Sequence, residues 1–248
     1  MPGFNNINVN TVYQTVLSIL NKEQRGYITP YEFNNLANQV QLEIFESYFE
    51  DLNVFLRSPE NSSEYSDRVK SLREKISVFE TTSQLTIGVG GTGVLTGLTP
   101  SLHRLGFITY KDGSKTPVEL QEVTPHEFTL AQRSTIAQSS SSYPVYYQTG
   151  STINVFPQTA TSATAPIQRY DIFYVRVPNV VNWAYTVNSV GAYIYDPGVA
   201  SVDFEISDVD QTEVILKILA YAGVVIRDSE ITQMASQAAA VQDQKEKM

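Results

Sequence analysis

The stretch NKEQRGYITPYEFNNLANQVQLEIFESYFEDLNVFLRS, residues 21–58, can open in one of two ways. Its start has the skeleton of an EF-hand calcium loop: Asn21 first, Gly26 at the sixth position, Ile28 at the eighth and Glu32 closing it. The ligands argue against calcium. Such a loop needs hard oxygen donors at its early odd positions, with carboxylates supplying the affinity. Here Arg25 points a cation at the ion, Glu23 is one carbon too long, and Pro30 stiffens the exit. A helix start explains the same residues. Thr29 is placed as N-cap, Pro30 at the first helical position, and Glu32 reaches back to the Thr29 amide as a capping box. A related signature stands in VTPHEFTLAQRS, residues 123–134, where Glu127 is expected to act mainly through the helix dipole. After Thr29, apolar residues recur at three- and four-residue steps: Phe33, Leu36, Ala37, Val40, Ile44, Phe45, Tyr48, Leu52 and Phe55. That spacing predicts one long amphipathic helix, stopped by Pro59.

Working outward, residues 10–22 (NTVYQTVLSILNK) and 62–76 (SSEYSDRVKSLREKI) predict flanking helices. From residue 79 the period changes to two. VFETTSQLTIGV, HRLGFITYKDGS with its Asp112–Gly113 turn, and TPVELQEV read as strands. YPVYYQTGSTINVFP reads as a hairpin about Thr149–Gly150, and IQRYDIFYVRVP alternates through Tyr170, Ile172, Tyr174 and Arg176. Near residue 207 the helical period returns in Val214, Ile215, Ile218, Leu219, Ala222 and Val225. The expected fold class is α+β: a helical bundle built from the N- and C-terminal segments, with a β-rich central insertion. The expected boundaries are 1–78 for the N-terminal half of the bundle, 79–206 for the β-rich domain, and 207–248 for the C-terminal helices and a docking tail.

Chemistry has little to rest on. The chain has 248 residues, no cysteine, two histidines far apart, and a net charge of −9. There is no thiolate site, no nucleophile pair and no basic stripe for gripping phosphates. No apolar run reaches membrane-spanning length, and MPGFNNINVN does not resemble a signal peptide. Gly88, Gly90 and Gly93 spell a dinucleotide-type fingerprint, but two more breakers follow where a helix must begin, so a glycine loop between strands is expected. Two acidic groups, Glu43–Glu46–Glu50–Asp51 and Asp203–Glu205–Asp208–Asp210, are read as solvated faces and helix caps. The expectation is a non-enzyme without cofactor or metal.

The segments GYITPYEFNNLANQVQLEIFESYFEDLN, YPVYYQTGSTINVFPQ and EVILKILAYAGVVIRDSEITQMASQ, in that order, resemble virion proteins of short-tailed bacteriophages of the crAss-like group. The resemblance is to the ring-forming head-to-tail connector or neck proteins beneath the portal, and it spans most of the chain. It implies a homo-oligomeric ring of about a dozen copies with heterologous contacts. It also implies portal and neighbouring neck or tail rings as partners, passage of DNA without specific binding, no membrane, and a place in the virion after synthesis in the host cytoplasm. The candidate partner-interface residues are Ile231, Met234 and Val241 on a thin apolar stripe near the C-terminus, together with Trp183. The alternative is a virion-surface carbohydrate- or receptor-binding module, in which Trp183 with Tyr185, Tyr193 and Tyr195 stacks on sugars. Against it, the alternating spacing of these aromatics suits a β core.

Overall fold

A computed structural model of the chain describes residues 5–22, 27–57, 63–88, 90–113, 115–134, 138–157, 168–198, 200–225 and 237. They form a mixed α+β structure in two compact units. One joins residues 1–78 to 178–248, and the other holds 79–177. The expected boundary at residue 206 therefore moves to 177. Residues 178–206 belong with the terminal helices, for a reason given below.

In the first unit, α1 (Val9–Lys22) buries Val9, Val12, Tyr13, Val16 and Leu20 along one stripe. Its first turn carries no acid of its own. Asp203, far along the chain, supplies one: its Oδ1 accepts from the Val9 amide at 2.8 Å, where the helix dipole favours negative charge. The helix α2 (Pro30–Arg57) starts at the expected box. The Thr29 amide donates to Glu32 Oε2 at 2.9 Å, and the Glu32 amide donates to Thr29 Oγ1 at 3.3 Å. The bond from the Thr29 backbone, then that from its hydroxyl, holds the Glu32 carboxyl below the usual carboxylate range. Since the folded value is lowered, this contribution is full above the ordinary carboxylate pKa and fades as pH falls through the lowered one. Thr29→Ala should cost about 0.5–2 kcal/mol, the usual loss for an N-cap, in a urea melt near neutral pH. The deficit should shrink in acid, where Glu32 no longer takes part.

The predicted stripe of α2 is buried through Phe33, Ala37, Val40, Ile44, Phe45 and Tyr48. α3 (Ser63–Ser77) packs against α2.

The described residues of the second unit form two four-stranded sheets and one helix. Its strands in chain order are β1 (Glu80–Leu85), β2 (Thr92–Val94), β3 (Leu102–Asp112), β4 (Val118–Glu119), β5 (Gln121–Glu122), β6 (Val145–Thr149), β7 (Thr152–Phe156) and β8 (Gln168–Arg176), with α4 (Pro125–Arg133) after β5. One sheet runs β1-β8-β3-β4 and the other β2-β7-β6-β5. The alternation in β8 buries Tyr170, Ile172 and Tyr174 against Ile108, Leu120, Ile153 and Val155. Both buried tyrosines spend their hydroxyls on proline carbonyls, Tyr170 on Pro157 and Tyr174 on Pro100. The hairpin about Thr149–Gly150 forms β6 and β7, with Gly150 at φ 59°. The strand expected over TPVELQEV splits at buried Leu120: β4 pairs with β3, and β5 pairs in parallel with β6, so one short segment serves both sheets. The glycine loop is followed by a strand, β2, so no helix N-terminus faces it. At Gly93 a Cβ would come within 2.7 Å of Ile87 Cδ1, so that side chain would have to shift.

The role expected for Glu127 is corrected. It stands at N3 of α4, the same spacing as Glu32, and closes a full capping box on Thr124.

The chain then returns to the first unit as β9 (Tyr185–Val187) and β10 (Tyr193–Tyr195), a two-stranded sheet, and as α5 (Gln211–Val225). α5 buries Val214, Ile218, Leu219 and Ala222 and packs on α1 and α2. In the second acidic group Asp208 is exposed and, with Asp210, stands in a first helical turn as expected, but Asp210 is not solvated. Asp210 is 4% exposed, accepting from Tyr48 Oη at 2.8 Å and from Lys75 Nζ at 2.9 Å, so it ties α2 and α3 to the start of α5. A buried carboxylate needs both the cation and the hydrogen bond.

Candidate assembly surface

Three amides on the buried side of α2 determine where residues 178–206 lie. Asn34, Asn38 and Gln41 follow one another at helical spacing, and each offers a donor and an acceptor. The extended segment 179–183 presents its backbone to them at alternate residues. The Val181 amide donates to Asn38 Oδ1 at 2.7 Å, and Asn38 Nδ2 donates to the Val181 carbonyl at 2.9 Å. The Trp183 amide donates to Asn34 Oδ1 at 2.8 Å, while Asn34 Nδ2 reaches the Trp183 carbonyl at 3.3 Å. Gln41 Nε2 donates to the Asn179 carbonyl at 2.7 Å, and its Oε1 accepts from the Glu205 amide. Glu205 completes the set by accepting from the backbone and side-chain amides of Asn179. The helix thus pairs with an extended chain much as a neighbouring strand would, using side chains in place of a backbone edge. This ladder draws the segment into the first unit and moves the boundary to residue 177.

The ladder delivers Trp183 into the core. It is 2% exposed, its indole N–H donates to Asn10 Oδ1 at 3.0 Å, and its ring lies against Tyr13, Tyr185 and Tyr195. Trp183 was expected as a partner-interface residue, or as a sugar-stacking platform. Both expectations are corrected: the ring faces protein on its aromatic sides and offers no surface. The physical reason is the amide ladder, which places the residue directly over α1 and α2.

What the buried tryptophan supports is exposed. Beyond it the chain makes the β9–β10 hairpin, turned by Asn188, whose Oδ1 accepts from the Val190 and Ala192 amides, and by Gly191 at φ 86°. The hairpin shows Tyr185, Val187, Val190, Tyr193 and Ile194 to solvent, with Val190 88% exposed and Val187 57%. Residues 177–195 carry no charged side chain. An isolated two-stranded hairpin is marginal in water; this one is held by the stacking of Tyr185 and Tyr195 on Trp183 and by an edge-to-face contact between Tyr185 and Tyr193 at 5.1 Å. The sequence carries the signal in YTVNSVGAYIY, β-branched and aromatic residues about an Asn/Gly turn.

The remaining candidates separate. Ile231, Met234 and Val241 lie outside the described residues. The first acidic group lines a groove of about 510 Å³ with Glu43, Glu46, Glu50, Asp51 and Glu213, in which Lys75 and Lys217 also lie. Burial works to raise the Glu43 carboxyl, but bonds from Lys217 Nζ and Tyr221 Oη, both 2.8 Å, outweigh it and leave it below the usual range. Among the described residues no group of acids and histidines is arranged to hold a metal ion, and no helix is long and apolar enough to cross a membrane. Compared with known proteins, the chain matches no family model, and no curated protein sequence matches it.

Proposed function

We propose that this chain is a structural virion protein, the subunit of an oligomeric ring in the head-to-tail connector of a short-tailed phage of the crAss-like group. In this reading α1, α2, α3 and α5 form a helical bundle made by both ends of the chain, and residues 79–177 are a β-rich insertion into it. The ring sits between portal and tail, and DNA passes through it. The observation that carries the reading is the β9–β10 hairpin: an exposed, uncharged, apolar element built on a rigid aromatic base, on a protein with a net charge of −9. Exposed apolar patches on an otherwise charged surface mark protein contacts, and the acidic balance suits a channel that DNA must not adhere to. The stripe of Ile231, Met234 and Val241 is the position for docking on the portal or on a sister subunit. Sedimentation velocity over rising protein concentration tests the proposal. A single assembled species of many protomer masses is expected. A protomer that stays single at every concentration, alone and with its portal, overturns it.

A further inference from the structure

We infer that the β9–β10 hairpin joins one subunit to the next by strand pairing, with the β9 edge of one copy meeting the β10 edge of a second copy. This rests on the ring proposal and names its contact. The hydrogen-bond pattern of the hairpin shows which backbone groups are free to do it. The Asn188 amide donates to the Ala192 carbonyl at 3.0 Å, and the Asp196 amide donates to the Ala184 carbonyl at 2.9 Å. Antiparallel pairs alternate between bonded and non-bonded. Thr186–Ile194 is therefore the bonded pair between them, and Val187–Tyr193 and Tyr185–Tyr195 are non-bonded. The N–H and C=O groups of Tyr185 and Val187 point outward on one edge, and those of Tyr193 and Tyr195 point outward on the other. No other strand pairs with either edge among the described residues.

Natural proteins blunt such edges by keeping them very short or with lysine, proline or bulges. These two strands are three residues each and carry no lysine, proline or bulge. The side chains also select the partner. A chain of net charge −9 repels its own copies over much of its surface, and the absence of charge from 177 to 195 leaves a place where a second copy can approach. The two open edges lie on opposite sides of the hairpin, so the contact is heterologous and repeats from copy to copy; in the proposed ring its rotation closes. The register that satisfies the outward groups sets Val187 opposite Tyr193 and Tyr185 opposite Tyr195 of the next copy. It keeps the aromatic face continuous, because all four side chains share one face. About a dozen hairpins at about 4.8 Å per strand give a circle about 115 Å round and about 37 Å across, before any strand tilt widens it. That is wider than a DNA duplex.

The absence of native cysteine makes the test direct. In the proposed register Thr186 of one copy and Ile194 of the next form a non-bonded pair, whose side chains lie close enough for a disulfide. Two single-cysteine proteins, Thr186→Cys and Ile194→Cys, carry different tags, so no disulfide can form within one chain. They are mixed before assembly and oxidised. The mixture should give the mixed-tag disulfide, and neither protein alone should cross-link. A second variant, Val187→Pro, removes one outward N–H that the hairpin itself does not use. It should weaken assembly about tenfold or more, since a net hydrogen bond and close edge contact are both lost. Rings that form without the mixed disulfide, or that tolerate Val187→Pro, overturn the pairing and leave the ring proposal standing. Each disulfide joins only two chains, so the particles are sized without denaturant: mixed disulfides in particles that are dimers or open filaments support the pairing and overturn the ring. A mixture that neither assembles nor cross-links, alone and with portal, overturns both.

Discussion

Trp183→Ala should lower the stability of the unit formed by residues 1–78 and 178–248 by about 3–5 kcal/mol, the usual cost of emptying a packed aromatic site. The ring is 2% exposed, so the loss includes both burial and a cavity among Tyr13, Tyr185 and Tyr195. In a chain of this length that corresponds to a fall of about 6–20 °C in the melting temperature of that unit. Asn10 loses a hydrogen bond as well. The melting of residues 79–177 should be unaffected. Assembly should fail in the same variant, because the hairpin rests on this ring. A sugar-stacking tryptophan would give a different pattern, with glycan binding lost and stability unchanged within about 0.5 kcal/mol, as for most surface substitutions.

Asn38→Ala is expected to cost about 2–5 kcal/mol, because it strips both partners from the backbone of Val181, which is 1% exposed. Each buried polar group left without a partner costs about 1–3 kcal/mol. Gln39→Ala, next to it on the exposed side of α2, should change stability by no more than about 0.5 kcal/mol. Hydrogen exchange gives the local signature: the amides of Val181 and Trp183 should lose protection in Asn38→Ala. Equal effects at residues 38 and 39 would mean that the ladder does not hold the segment.

The ladder also explains what was legible in the sequence and what was not. α2 was readable from Phe33, Ala37, Val40, Ile44 and Phe45, whose spacing has only one solution, and its start from Thr29, Pro30 and Glu32. β8 was readable because one side of the strand is covered and the other is not. Asn34, Asn38 and Gln41 were not, since the same residues on a solvated helix face look identical. Their partners lie far away in sequence, on residues 179–183 and Glu205, and these give them a purpose. The signal was present in weak form: short amides are poor residues for a helix interior and need a reason to be there. Asp208 and Asp210 do stand at a helix start, but the distant partners of Asp203, Glu205 and Asp210 were hidden for a related cause. Acids next to a helix start suggest a cap of that helix, yet Asp203 caps α1, Glu205 holds Asn179, and Asp210 pairs with Lys75. The domain boundary failed with them, because a hairpin after a β-rich region reads as more of that region until the amides on α2 are counted.

The functional candidates divided in the same manner. Trp183 is the single tryptophan, and its burial rules out the interface role expected for it. Val187 and Ile194 were overlooked because β-branched residues in a short strand look like core. Their exposure follows from the hairpin having no second sheet over it among the described residues.

Negative-stain electron images of the purified full-length protein test the central claim most directly. Closed rings with an open centre and one rotational symmetry are expected, lost in Val187→Pro while that variant's melting temperature is kept. Images of single small particles at concentrations well above those in an assembling virion, with or without portal, would contradict it.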